Sequence, residues 1–135
     1  MSPREPMVFV NLASPDLPAA RDFWDAVGWG IDERLNSEDA LCLAVSPHIR
    51  VMLLGERSFR ELAGTEPVDA SAAVETVTSL TLDSRFHVDQ LVERALAAGA
   101  TEAREPDDHG QMYSRCFTDP DGHLWEFLWI DDDAA

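Results

Sequence analysis

Two glycines, Gly28 and Gly99, each close a segment in which a β-rich stretch runs into an amphipathic helix, and they lie 71 residues apart in a chain of 135. In the first copy "MVFVNL" leads to Asp16, a helix cap, and then to Leu17, Ala20, Phe23, Trp24 and Val27 at helical spacing. In the second, "TVTSLTL" leads to Val88, Leu91, Val92, Ala95 and Leu96, the stripe of an amphipathic helix. Each helix is followed by three candidate strands, at about 31–35, 40–45 and 49–54, then at about 101–104, 111–118 and 123–130. A unit repeated in this order constrains the fold more than any single motif. It predicts an α+β chain of two β-α-β-β-β modules, about 7–55 and 76–131. The segment between them, about 56–75, reads as a short helix around Phe59 and Leu62 followed by a polar linker, or as a flap over a pocket.

The last stretch, "FTDPDGHLWEFLWID", sharpens this expectation. Asp119-Pro120-Asp121-Gly122 has the residues of a type I turn, so the strands on either side should form an antiparallel hairpin. Side chains alternate along a strand, which puts His123, Trp125, Phe127 and Trp129 on one face and Leu124, Glu126, Leu128 and Ile130 on the other. Glu126 is out of place among these apolar neighbours, because a buried ionised carboxylate is costly unless paired, protonated or bound to a metal.

Charge and cysteine content narrow the partners. Ten Arg, no Lys and 26 acidic residues give a net charge of −16, which sets the chain against nucleic acid and anionic membranes. Cys42 and Cys116 show no C-x-x-C spacing and read as buried free thiols of a reducing compartment. No signal-peptide pattern and no run of 18 apolar residues occurs, so a soluble cytoplasmic protein is expected. Gly-rich phosphate loops, a G-x-S-x-G elbow and H-E-x-x-H are absent.

With "VNLASPDLPAARDFWDAVGW", its second copy and above all "FTDPDGHLWEF", the chain resembles the vicinal oxygen chelate superfamily, which includes glyoxalase I, bleomycin-resistance proteins and extradiol dioxygenases. The resemblance covers essentially the whole chain and looks closest to a glyoxalase-like bacterial branch. It implies that the modules form an incomplete barrel around a concave cavity, and that the chain is a homodimer. Metal-dependent members take ligands from the first and last strands of each module. Carried over by position, those sites fall on Phe9, Val77, on or beside Leu53, and on Glu126; a shift at the first brings in Asn11. Phe, Val and Leu offer no electron pair to a divalent metal, so no metal cofactor is expected.

What the resemblance implies is therefore a protein that binds a small, partly apolar molecule without a metal, in the manner of bleomycin-resistance proteins. The competing expectation is a lyase, isomerase or dioxygenase-like enzyme using Glu126 as acid or base, or as ligand of a weakly held divalent metal. A lone carboxylate in an apolar cavity has a raised pKa suited to proton transfer. Alternatively, Glu126 accepts hydrogen bonds from Asn11, Tyr113 or an Arg and holds the structure together. "DDHGQMYSR" supplies the other candidates. His109, in a loop entering the hairpin, is a candidate proton carrier or a turn cap. Tyr113 is a further catalytic candidate, and Met112 and Arg115, with Phe9, Asn11, Leu53 and Val77, are candidate ligand contacts.

Overall fold

The structure, a computed structural model, describes residues 5–132, which divide into two compact units between Pro67 and Val68. In the first, β1 (Val8–Ala13) leads through helix α1 (Leu17–Val27) to β2 (Gly30–Ile31), β3 (Ala40–Ser46), β4 (Ile49–Leu54) and helix α2 (Glu56–Ala63). The second runs β5 (Val77–Thr81), helix α3 (Arg85–Ala97), β6 (Thr101–Asp108), β7 (Met112–Thr118) and β8 (Leu124–Ile130). The sheet orders are β1-β4-β3-β2 and β5-β8-β7-β6, with the outer pairs β1/β4 and β5/β8 parallel and the other pairs antiparallel. The repeat read from the sequence is thus a repeat of topology, and neither sheet closes on itself.

Local chemistry explains the elements. Asp16 caps α1 by accepting from the Ala19 amide at 3.1 Å, and Ser84 caps α3 by accepting from the His87 amide at 3.0 Å. Gly28 ends α1 at φ 100°, a left-handed conformation that side chains resist. The strand expected at 31–35 shrinks to two residues. Asp32 there accepts from the Arg34 backbone and side chain, folding Glu33–Leu35 into a 3-10 turn. Conversely, β6 runs past Pro106 to Asp108. As an edge strand it can carry a proline, and its pairing with β7 shifts register at Glu102/Arg104 and Arg104/Asp107.

Each sheet buries one face under its own helix. Leu41, Leu43, Val51 and Leu53 are buried in the first unit with Phe23, Trp24 and Val27 of α1. In the second, Phe117, Trp125 and Phe127 stack and are fully buried, as are Val88 and Val92 of α3. Each such side chain stabilises the fold by about 1.5–3 kcal/mol.

The linker holds to the second unit. Asp69 organises a turn by accepting from the Ser71 amide and hydroxyl, and this turn lies against the Asp119–Gly122 turn. Gly122 has φ 95°, and a Cβ there would come within 2.6 Å of the Ala70 carbonyl oxygen. Buried Asp119 anchors its turn through bonds from the Asp121 amide, the His123 amide and the Trp125 indole. Burial nevertheless pushes its carboxyl above the ordinary range.

Candidate functional site

Glu126 sits in β8, and residues paired across a sheet present their side chains on the same side. Its row crosses the whole second sheet: Ser79 on β5, Glu126 on β8, Cys116 on β7 and Arg104 on β6. Ser79 Oγ donates to Glu126 Oε1 at 2.8 Å. The Arg104 guanidinium reaches inward from the edge strand and donates to Glu126 Oε2 at 3.1 Å and to Ser114 Oγ at 2.8 Å. Both carboxylate oxygens are therefore occupied. The expectation of a lone carboxylate is corrected: the alternative of an Arg partner is the one found, in Arg104, with Ser79 added and Tyr113 engaged elsewhere. Around this polar row the same face carries half-buried Met112, Leu124, Leu128 and Ile130 and exposed Val77.

Tyr113 and Arg115 lie on the opposite, helix-facing side, where β7 pairs them with Trp129 and Phe127. The Tyr113 hydroxyl donates to Asp89 of α3 at 2.5 Å. Burial, helped by Asp89, pushes this phenol up to about 12, leaving its proton bound at neutral pH. Arg115, buried, donates to Asp89, Glu93 and Glu102, and its Nε is the one buried side-chain polar atom without a partner among the described residues. These contacts tie α3 to the sheet, so neither residue joins Glu126.

His109 lies in the β6–β7 turn, exposed, with Nε2 2.9 Å from Asp107 Oδ1. Next to it, Asp108 receives two bonds from Arg85 at 2.7 Å each, which hold its carboxyl well below the usual range. Arg85 also donates to the Gly110 carbonyl and lies over the Tyr113 and Trp129 rings, fixing the loop. The loop expected for His109 is present. No bond brings the imidazole to Glu126.

The strand register of the first unit corresponds to that of the second. The Ser14 amide bonds to the Leu54 carbonyl as the Leu82 amide bonds to that of Leu128, which makes Asn11 the counterpart of Ser79 and Met52 that of Glu126. Asn11, Met52 and Cys42 form the matching row. The position expected on or beside Leu53 falls beside it, on Met52; Leu53 itself, named as a ligand contact, is fully buried on the helix-facing side. Phe9, exposed, shares the face of Asn11, whose side-chain amide donates back to the Phe9 carbonyl. Both cysteines are buried free thiols, pushed up in pKa by burial.

A cleft of about 450 Å³ lies elsewhere in the first unit, lined by Ser14, Asp16, Glu38, Asp39 and Glu56 among others. None of the residues singled out from the sequence as site residues lines it. Asp16 and Asp39 are already committed to the amides of Ala19 and Ser58 in α1 and α2.

Residues 7–127 match the model of the Glyoxalase/Bleomycin resistance protein/Dioxygenase superfamily. The chain belongs to this superfamily. Among solved structures it is similar to a hypothetical protein from S. aureus at 26% identity, with 96% of each chain covered and a TM-score of 0.76. A glyoxalase/bleomycin resistance protein/dioxygenase family enzyme from Burkholderia phytofirmans is 20% identical, with 93% of this chain and 99% of that one covered and a TM-score of 0.77. The bleomycin resistance determinant encoded on transposon Tn5 is 17% identical, with 93% and 98% covered and a TM-score of 0.65. At these last two identities the likeness is one of fold. No curated protein matches the chain.

The metal implied by part of the superfamily can be tested against the donors. Glu126 is bonded to a guanidinium, which repels a divalent cation from the same oxygen. Its module-one counterpart Met52 offers a soft thioether, and Phe9 and Val77 offer nothing. Among the described residues no group of three or more His, Cys, Asp or Glu is placed to hold a metal ion. The donor set does not fit. No helix among these residues is long and apolar enough to cross a membrane.

Proposed function

We propose that this superfamily member binds a small, partly apolar molecule on the Glu126 face of the β5-β8-β7-β6 sheet, without a metal. The observation that carries this reading is the occupation of both Glu126 oxygens by Arg104 and Ser79 within a face otherwise lined by Val77, Met112, Leu124, Leu128 and Ile130. Apolar side chains give affinity and a few polar groups give orientation, as in most small-molecule sites. A carboxylate held beside a guanidinium is disfavoured as a metal ligand by the neighbouring positive charge and is poorly placed to start proton transfer.

Two titrations test the proposal. Protein purified without chelator is titrated with nickel, zinc, manganese and iron(II); no stoichiometric binding is expected. The neutral dye Nile red should bind saturably and shift the methyl resonances of Met112, Leu128 and Ile130. A tight single metal site that Glu126→Gln abolishes would overturn the metal-free reading, and a dye that leaves those methyls unmoved would overturn the assignment of the face.

A further inference from the structure

Arg104 offers more than a partner for Glu126. A guanidinium has five N–H donors. Three of them meet the Glu105 carbonyl at 3.0 Å, Ser114 Oγ at 2.8 Å and Glu126 Oε2 at 3.1 Å. It also bonds to the Cys116 thiol, and with its side chain 38% exposed the guanidinium keeps donor capacity on its solvent side. Glu126 is 26% exposed, and each of its oxygens keeps a lone pair beyond the bonds from Ser79 and Arg104. Beside the apolar positions of this face there is thus a donor and an acceptor, side by side and together electrically neutral.

We infer that Arg104 and Glu126 select ligands whose polar head is a neutral, adjacent acceptor and donor, a carboxamide or ureido group. Such a head accepts from Arg104 through its carbonyl and donates to Glu126 through its N–H, while its apolar part lies along Met112, Leu128 and Ile130. The inference rests on the binding face proposed above and names the chemistry it takes. An anionic head would meet the Glu126 carboxylate in a chain that already carries −16. A cationic head would meet the Arg104 guanidinium. Arg104 is the residue that makes this choice, since without it Glu126 would stand as an uncompensated negative charge and draw cations.

Three probes of one shape but different heads test this: hydrocinnamamide, hydrocinnamate and phenylpropylamine, each used to displace bound Nile red. Hydrocinnamamide should bind about tenfold more tightly than either charged probe, since one hydrogen bond to a charged group is worth at least that factor. It should also shift the Arg104 Nε–H resonance. Arg104→Met should invert the order in favour of phenylpropylamine. Arg104→Lys keeps the charge and should still reject the amine while losing most of the preference for the amide; it serves if the methionine variant fails to fold. Equal binding of the three probes, failure of the amide to displace the dye, an unchanged order in folded Arg104→Met, or an undiminished amide preference in Arg104→Lys overturns the selection and leaves the binding face standing. Absence of Nile red binding itself overturns the face.

Discussion

Replacing Gly122 with alanine should unfasten the linker from the second unit. Two costs add at this position. The backbone has φ 95°, and a side chain in a left-handed conformation costs about 1–2 kcal/mol. The new Cβ would also lie 2.6 Å from the Ala70 oxygen, 2.8 Å from its carbonyl carbon and 2.9 Å from the Ser71 nitrogen. These are backbone atoms, which cannot swing aside as a side-chain tip can. Overpacking of this kind costs about 1–3 kcal/mol, so Gly122→Ala should destabilise by about 2–5 kcal/mol. Urea unfolding measures the total as a lower midpoint. Gly122→Asn separates the terms, because Asn tolerates positive φ but brings the same Cβ. It should recover part of the loss, and in both variants the Asp69–Ala73 turn should become quickly cleaved by protease. A loss below about 0.5 kcal/mol with unchanged cleavage would refute the reasoning.

Glu126→Gln should change stability by no more than about 1 kcal/mol, because the Arg104 pair is partly exposed and the amide can accept from Arg104 through its oxygen while donating to Ser79 Oγ. A loss above about 3 kcal/mol in chemical unfolding would mean that the carboxylate works as a buried structural charge. Arg115→Met should cost no more than about 2 kcal/mol, since the three carboxylates it leaves are 49%, 65% and 33% exposed and can rehydrate; a loss above about 4 kcal/mol argues against this. Arg34 pulls Asp32 down to about 2, and Arg85 pulls Asp108 below the ordinary range. A carboxylate lowered in the folded state stabilises above its unfolded pKa, near 4, and that contribution disappears as the pH falls through the folded value. The thermal midpoint should therefore drop between about pH 4 and 2, and Arg34→Ala or Arg85→Ala should flatten the drop; an unaltered acid limb in both variants would contradict the assignment.

Much of the fold was legible because it is written twice. The strand-helix-glycine order, the Asp-Pro-Asp-Gly turn and the alternation of "HLWEFLWI" are local signals, and each points to the element found. The site was legible only in part. Period two places Glu126 opposite the buried Trp125 and Phe127, but its partners Ser79 and Arg104 are 47 and 22 residues away in sequence. Arg104 lies within "TEAREPDD", whose charges and proline read as loop beyond residue 104. Leu53 shows how small the margin is, since a slip of one residue moves a side chain to the other face of the sheet. Tyr113 and Arg115 stand out by residue type in "DDHGQMYSR", and the pairing of β7 with β8 sends both toward α3.

The paired rows also let divergence be read within one molecule. Asn11, Met52 and Cys42 hold the places that Ser79, Glu126 and Cys116 hold in the second copy, with a thiol in both and a charge in one. On the binding face proposed above, the second copy alone presents a charged row. Tolerance to substitution should then be lopsided, with positions 11 and 52 permissive and positions 79 and 126 restrictive. The first module thus becomes the natural internal control for changes made in the second.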